Sequence, residues 1–286
     1  MSFNDLLHNS PVFFISVCSV IGLMIGSFLN VVIFRVPKMM ERAWAEECAH
    51  LRGETIEVQP PYNIVTPRSA CMYCGHKLKA IENIPLMSYL LLKGRCSRCR
   101  TLISPRYPAV ELLTAAISGF IAWHFGFGFT AFAALAFSWS LIVLAFIDID
   151  TQLLPNDITI PLLWSGLLIN LADTFTDIHS AVLGAVAGYF ALWSIYWCFK
   201  LVTRREGMGY GDFKLLAAIG AWLGWQMLPL VILVSSVAGT LVGTTLIIVA
   251  KRGRHVPVPF GPYLAAGGLA TLFWGNWLSS RYWGFS

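Results

Sequence analysis

Chemistry in this sequence concentrates in a few residues. Asp148 closes an apolar run, Phe146-Ile147-Asp148-Ile149-Asp150, and Asp212 opens another, Gly207-Met208-Gly209-Tyr210-Gly211-Asp212-Phe213-Lys214. An ionisable group at the boundary of a membrane span is a functional candidate by default. Two carboxyl groups that converge cannot both ionise cheaply, so such a pair shares a proton. The ionised member activates a water, and the protonated member polarises a carbonyl and later protonates the leaving amine. Gly207, Gly209 and Gly211 remove side-chain bulk ahead of Asp212, which lets another backbone come close. Each aspartate also has an ordinary reading, Asp212 as a helix N-cap and Asp148 or Asp150 as a solvated helix end. Spacing leaves open whether the two sites meet.

The second constellation is four cysteines in two CxxC pairs, Cys71/Cys74 and Cys96/Cys99, with 21 residues between the pairs. Each CxxC turn places two sulfurs on one side of a knuckle, and two knuckles close a tetrahedron suited to zinc or iron. Lys77, Arg95, Arg98 and Arg100 would offset the negative charge of four thiolates. A full thiolate set leaves no open coordination position, so the expected metal is structural zinc. Two disulfides or free thiols are the alternative. Cys18 and Cys198 lie in apolar runs and read as small hydrophobes, and His76 reads as a bystander to the cysteine set.

The elements that must position these groups are membrane helices. Of 286 residues, 57% are hydrophobic and only 12% charged, with mean hydropathy +0.67, about half the charge of a soluble domain. Eight stretches approach the roughly 20 apolar residues that cross a bilayer: Val12–Phe34, Ala109–Phe125, Thr130–Ile147, Ile158–Leu171, Ala181–Leu201, Phe213–Trp225, Leu228–Ala250 and Tyr263–Leu278, the fourth and sixth being short. The N-terminal apolar run is too long for a signal peptide and reads as an uncleaved first span.

With eight spans, nineteen of the twenty basic residues fall on one side, leaving Arg281 on the other. The basic side is therefore expected to be cytoplasmic and both termini periplasmic. The fold class is an all-α polytopic membrane protein of about eight transmembrane helices with a cytoplasmic four-cysteine zinc-ribbon loop. Its organisation is a first transmembrane helix at 1–34, a cytoplasmic loop at 35–108, and a transmembrane helical bundle at 109–286. Most tryptophans, Trp123, Trp193, Trp197, Trp222, Trp225, Trp274 and Trp277, read as interface anchors. Pro259-Phe260-Gly261-Pro262 reads as a helix entry.

Taken together, these motifs resemble the type IV prepilin peptidases. The resemblance runs from Gly26-Ser27-Phe28-Leu29-Asn30 through both cysteine pairs, Glu82-Asn83-Ile84-Pro85-Leu86, Arg106-Tyr107-Pro108 with Glu111, Asp148 with Leu154-Pro155, Gly209-Tyr210-Gly211-Asp212, and Pro259-Phe260-Gly261-Pro262. It implies a GxGD-type aspartic protease with Asp148 and Asp212 catalytic, Asp150 being a neighbour. Such an enzyme cuts a short basic leader after glycine from prepilins and pseudopilins at the cytoplasmic face of the cell inner membrane. It then methylates the new N-terminal residue, usually Phe, with S-adenosylmethionine. The resemblance ties this second activity loosely to the cysteine loop. No glycine fingerprint for the methyl donor follows a strand, and Glu111 is the candidate contact to the amine or cofactor, with an ion pair to Arg106 or Arg35 as its alternative. The implied partners are the pilin precursors and the lipid bilayer; no nucleic acid is expected. Rival classes are a transporter with Asp148 and Asp212 as ion sites, which expects more mid-span polar residues than these helices hold, and a scaffold docking partners through the ribbon.

Overall fold

A computed structural model describes residues 7–54, 60–79, 81–204, 208–249 and 259–282. Gly207, Arg205 and the basic loop Lys251, Arg252 and Arg254 lie outside the described residues. The main helices are α1 (Pro11–Leu51), α2 (Met87–Leu91), α3 (Arg106–Phe125), α4 (Phe129–Thr151), α5 (Asn156–Ile169), α6 (Ile178–Thr203), α7 (Tyr210–Leu223), α8 (Leu228–Ile248) and α9 (Gly261–Tyr282). Each of the eight apolar stretches overlaps one of them, though Ile158–Leu171 and Phe213–Trp225 run two residues past the ends of α5 and α7. Among the described residues there is no extended strand, and five helical segments are long and apolar enough to cross a membrane: α1, α3, α4, α6 and Trp225–Leu246, which contains most of α8. The protein is a multi-pass membrane protein. Helices α5 and α7 have 14 residues each, about 21 Å at about 1.5 Å per residue, short of the roughly 30 Å hydrocarbon core.

The chain forms two compact units, residues 1–131 and 132–286. In the first, α1 packs along α3. Small residues allow it: a Cβ on Gly22 would lie 2.6 Å from Ser118 Oγ, and one on Gly26 would lie 2.7 Å from Glu111 Cα. Close backbone approach through small residues is the usual basis of helix pairing in lipid, where burial of apolar surface no longer drives association. This packing gathers residues 109–131 with α1, whereas the sequence reading grouped them with the later helices.

The first helix also runs past Phe34, its expected end, to Leu51. Residues 38–51 are rich in Glu, Ala and Met, which favour helix, and Pro37 is accommodated inside it. Where this helix leaves the apolar segment, the buried Arg35 guanidinium donates to the carbonyls of Asn63, Ile64 and Pro67. The loop backbone is thereby tied to the helix.

In the second unit α7 is the core. From Asp212 to Leu223 every residue except Lys214 is buried, against α5, α6 and α9. Glycines set the spacing: a Cβ on Gly184 of α6 would collide with the Gly220 carbonyl of α7, and one on Gly188 would lie 2.6 Å from the Leu216 oxygen. At the far end of α7, Asn170 is fully buried. Its Nδ2 donates to the Ala221 and Trp222 carbonyls at 2.9 Å each, and its Oδ1 accepts from Phe175 and Thr176. Trp222 is only 1% exposed, stacks on Phe137 and donates from Nε1 to the Leu162 carbonyl at 2.7 Å. It is a core residue, not the interface anchor its type suggested, because α7 has helices all around it. Trp123, Trp274 and Trp277 are exposed.

Because Gly184 admits the α7 backbone, Gly184→Val is expected to destabilise the second unit by about 1–3 kcal/mol through overpacking. Thermal unfolding followed by tryptophan fluorescence in detergent should show a lowered midpoint; an unchanged midpoint would reject the close α6–α7 contact.

Candidate active site and metal centre

Both aspartates sit at helix ends of the second unit. Asp148 lies in the last turn of α4, which stops where Gln152 turns to a left-handed φ of 55°. The chain then passes through Leu153–Pro155 into α5. Asp212 lies in the first turn of α7, whose N-cap, Gly209, offers no side-chain cap. Asp212 is therefore not the N-cap residue but the third residue of the helix, and its carboxyl takes a hydrogen bond from the backbone of the N-cap, Gly209, as in one half of a capping box. A Cβ on Gly211 would lie 2.7 Å from Leu154 Cβ, so this glycine lets the start of α7 approach the segment leaving α4. Lys214 Nζ donates to Asn156 Oδ1 at 2.8 Å, joining the same two regions.

The two carboxyl groups are brought together. Asp148 is 5% exposed and Asp212 6%, and the charge of Asp148 bears directly on Asp212. Asp150, two residues on, is exposed. Buried carboxyl groups need hydrogen bonds, and Asp148 has one from a distant part of the chain. The Gly261 N–H, at the first residue of α9, donates to Asp148 Oδ2 at 2.9 Å in a buried contact. A Cβ on residue 261 would lie 2.7 Å from that same oxygen. The Pro259-Phe260-Gly261-Pro262 turn is a helix entry as expected, and it also reaches the aspartate pair. Its proline-glycine-proline punctuation was the available signal, but a turn motif does not say what its amide faces.

In the first unit the four cysteine sulfurs lie within 4.8 Å of one another. Cys71 and Cys99 Sγ are 3.8 Å apart, and Cys74 and Cys96 Sγ 4.0 Å. Four sulfurs about 2.3 Å from a central zinc would be about 3.8 Å apart, so the set fits a tetrahedral metal and is far too open for disulfides, whose sulfurs sit about 2.05 Å apart.

The two knuckles repeat one design. Cys71 N–H donates to the His76 carbonyl and Cys96 N–H to the Thr101 carbonyl, both at 2.9 Å. Gly75 and Arg100 occupy the equivalent left-handed positions, with φ of 66° and 60°. Hydrogen bonds from the Thr101 hydroxyl and backbone pull the Cys99 thiol down to about 6, toward the thiolate a metal binds. The His76 imidazole pairs with Glu82, its Nε2 3.3 Å from Glu82 Oε2, while the His76 backbone hydrogen-bonds the Cys74 sulfur. Glu82 also accepts from the Lys79 N–H at 2.8 Å and hydrogen-bonds Ser97, tying the two knuckles together. Its place between the cysteine pairs was the only hint of that role.

Glu111 is buried on α3 at 8% exposure. Its Oε2 accepts from the Leu86 N–H at 2.7 Å, and Ser27 hydrogen-bonds the same carboxyl. Neither suggested ion pair forms: among the described residues none involves Glu111, and Arg35 is committed to loop carbonyls.

If the four sulfurs hold zinc, Cys96→Ser will lower the metal content of the purified protein from near one equivalent to well below half, since a mixed oxygen–sulfur set binds zinc less tightly. Metal analysis after desalting checks this; full zinc retention would mean that the cysteines are not the ligands.

Residues 20–125 match the Bacterial Peptidase A24 N-terminal domain, and residues 135–244 match the Type IV leader peptidase family. The division between the two compact units falls in the gap between these matches. A prepilin leader peptidase/N-methyltransferase of Pseudomonas aeruginosa is 50% identical over 279 residues, covering 97% of this chain and 96% of its own. One from Aeromonas hydrophila is 51% identical over 280 residues, covering 97% of each. One from Burkholderia pseudomallei is 50% identical over 263 residues, covering 90% of this chain and 84% of its own. No solved structure matches. Paired carboxyl groups in the second unit and a four-sulfur cluster in the first thus occur in a chain that shares half its residues with these relatives along nearly its whole length, and the chain belongs to the type IV leader peptidase family.

Proposed function

We propose that this protein removes the short basic leader from type IV prepilins and pseudopilins after glycine, and then methylates the new N-terminal residue, usually Phe, using S-adenosylmethionine. The observation that carries the peptidase half is the pair of buried carboxyl groups, Asp148 and Asp212, within electrostatic reach of each other. Sharing one proton, such a pair offers both a base and an acid. The ionised carboxylate takes a proton from water as the water's oxygen attacks the scissile carbonyl carbon. The protonated carboxyl stabilises the developing oxyanion. Collapse of the tetrahedral intermediate breaks the C–N bond, and the amine leaves with a proton from the pair. The Gly261 amide restricts the Asp148 carboxyl to one orientation.

The charge pattern supports a location and an orientation. Basic residues cluster in the segments that an eight-span arrangement leaves on one side. The reading is therefore a multi-pass inner-membrane protein with both termini periplasmic and the cysteine ribbon and aspartate pair cytoplasmic. A substrate with a basic leader followed by an apolar helix obeys the same rule. Its leader stays cytoplasmic, and its scissile bond meets the aspartates as the helix leaves the lipid. The four cysteines would hold a structural zinc that joins the two knuckles and takes no part in the chemistry. The products serve pilus assembly and type II secretion.

Asp148→Asn and Asp212→Asn are each expected to reduce leader cleavage at least about 100-fold with the protein folded and its metal content unchanged. Gly261→Ala should reduce it about 10-fold or more, because a displacement of about 1 Å at a catalytic group is costly. The assay incubates purified protein with a prepilin and separates precursor from mature chain by gel. Full cleavage by either asparagine variant would reject the aspartate pair as the catalyst.

A further inference from the structure

The aspartate pair accounts for cleavage but leaves one buried carboxyl group without a use. Among the described residues of the first unit, Glu111 is the only buried acidic side chain. Both of its hydrogen-bond partners offer protons: the Leu86 backbone N–H and the Ser27 side chain. Among the described residues no cation pairs with it. A buried carboxylate ordinarily has an ionic partner, since an isolated one is expensive to bury. The surroundings are also held at some cost. Leu86, whose N–H the carboxyl holds, has φ 57° and ψ −47°, a conformation L-residues seldom adopt. Gly26 admits the α1 backbone so closely that a Cβ would lie 2.7 Å from Glu111 Cα. The chain neighbours of Ser27, Leu86 and Glu111, namely Phe28, Met87 and Leu112, are exposed, so apolar surface is present next to each residue of the cluster.

We infer that Glu111 is the acceptor for the α-ammonium group of the mature substrate, and the base that readies it for methylation. This rests on the methyltransferase half of the function proposed above. An ammonium ion has no lone pair to attack with. Its proton passes to the Glu111 carboxylate, and the freed nitrogen lone pair forms a bond to the methyl carbon of the sulfonium donor. The carbon–sulfur bond breaks, its electron pair stays on sulfur as a neutral thioether, and the product is a methylated ammonium. Glu111 then returns its proton to water and is ionised again. The Leu86 and Ser27 donors keep the carboxyl oriented through the cycle.

The test uses the full-length zinc-loaded protein in phospholipid nanodiscs. The methyl acceptor is a synthetic peptide with a free N-terminal Phe and an apolar continuation, which needs no cleavage, and methyl transfer is read from radiolabelled S-adenosylmethionine. Glu111→Gln keeps an oxygen to accept from Leu86 and Ser27 but removes the charge and the base. It is expected to lower the methylation rate at least about 100-fold at pH 7. The rate should recover substantially as pH rises through the amine's own range, about 7.7–8.0, because a neutral amine no longer needs the base. Zinc content and thermal midpoint should match the parent protein. Methylation by the variant within threefold of the parent at pH 7 would overturn the inference. So would a loss that stays constant with pH, since that is what a purely structural role predicts. A parent protein that cleaves prepilin yet never methylates the peptide would remove the underlying reading and this inference with it.

Discussion

A carboxyl pair enclosed by membrane helices depends on backbones approaching more closely than most side chains permit. Here that constraint is met by glycine. Gly184 and Gly220 bring α6 and α7 into backbone contact, Gly211 brings the start of α7 against Leu154, and Gly261 brings an amide onto Asp148. A methyl group at any of these positions would occupy space already taken by a backbone atom or a neighbouring side chain. The pair is thus a consequence of how far three helices and one turn can be compressed. In lipid, where apolar burial contributes little to helix association, such contacts are also what hold the helices together.

The same economy appears in how the buried polar groups are satisfied. Asn170 uses both ends of its amide to close the far end of α7 and the following turn. Trp222 gives its one donor to Leu162. Arg35, a charge that would be expensive to bury bare, is solvated by backbone carbonyls of the loop it organises. Ser19, Thr114 and Ser118 return their hydroxyls to their own helices. Against this background Glu111, hydrogen-bonded but with no ion pair among the described residues, stands out as a buried acidic group without a counter-charge. The cysteine cluster is in a similar position, because four sulfurs at metal-binding separation repel one another as thiolates until a cation joins them.

The two units divide the chemistry by type of scaffold. In the second, the acidic groups lie at the ends of α4 and α7, where helices fix them tightly. In the first, the cysteines stand on short turns outside the helices, and their arrangement relies on two matched backbone hydrogen bonds, two left-handed residues and Glu82. A centre built on turns needs its metal to be rigid, whereas one built on helices is held by packing.

Much of this was legible in the chain itself. Apolar runs of near-spanning length mark the helices, because a bilayer demands internally satisfied backbone of known length. The CxxC pairs announce a four-ligand centre, because local turn geometry already places two sulfurs together. Asp148 and Asp212 stand out as charges at helix ends. What the chain could not reveal is contact between distant segments. Nothing local says that Asp148 lies against Asp212, that Gly261 reaches Asp148 from 113 residues away, that Glu111 faces Leu86 rather than an arginine, or that Trp222 belongs to a core. Nor does the apolar pattern end where the first helix ends, since the helix-favouring residues 38–51 continue the helix after the hydrophobic run stops. Composition and spacing record which groups exist and how each sits on its own turn or helix. Only the packing of helices against one another decides which of those groups share a site.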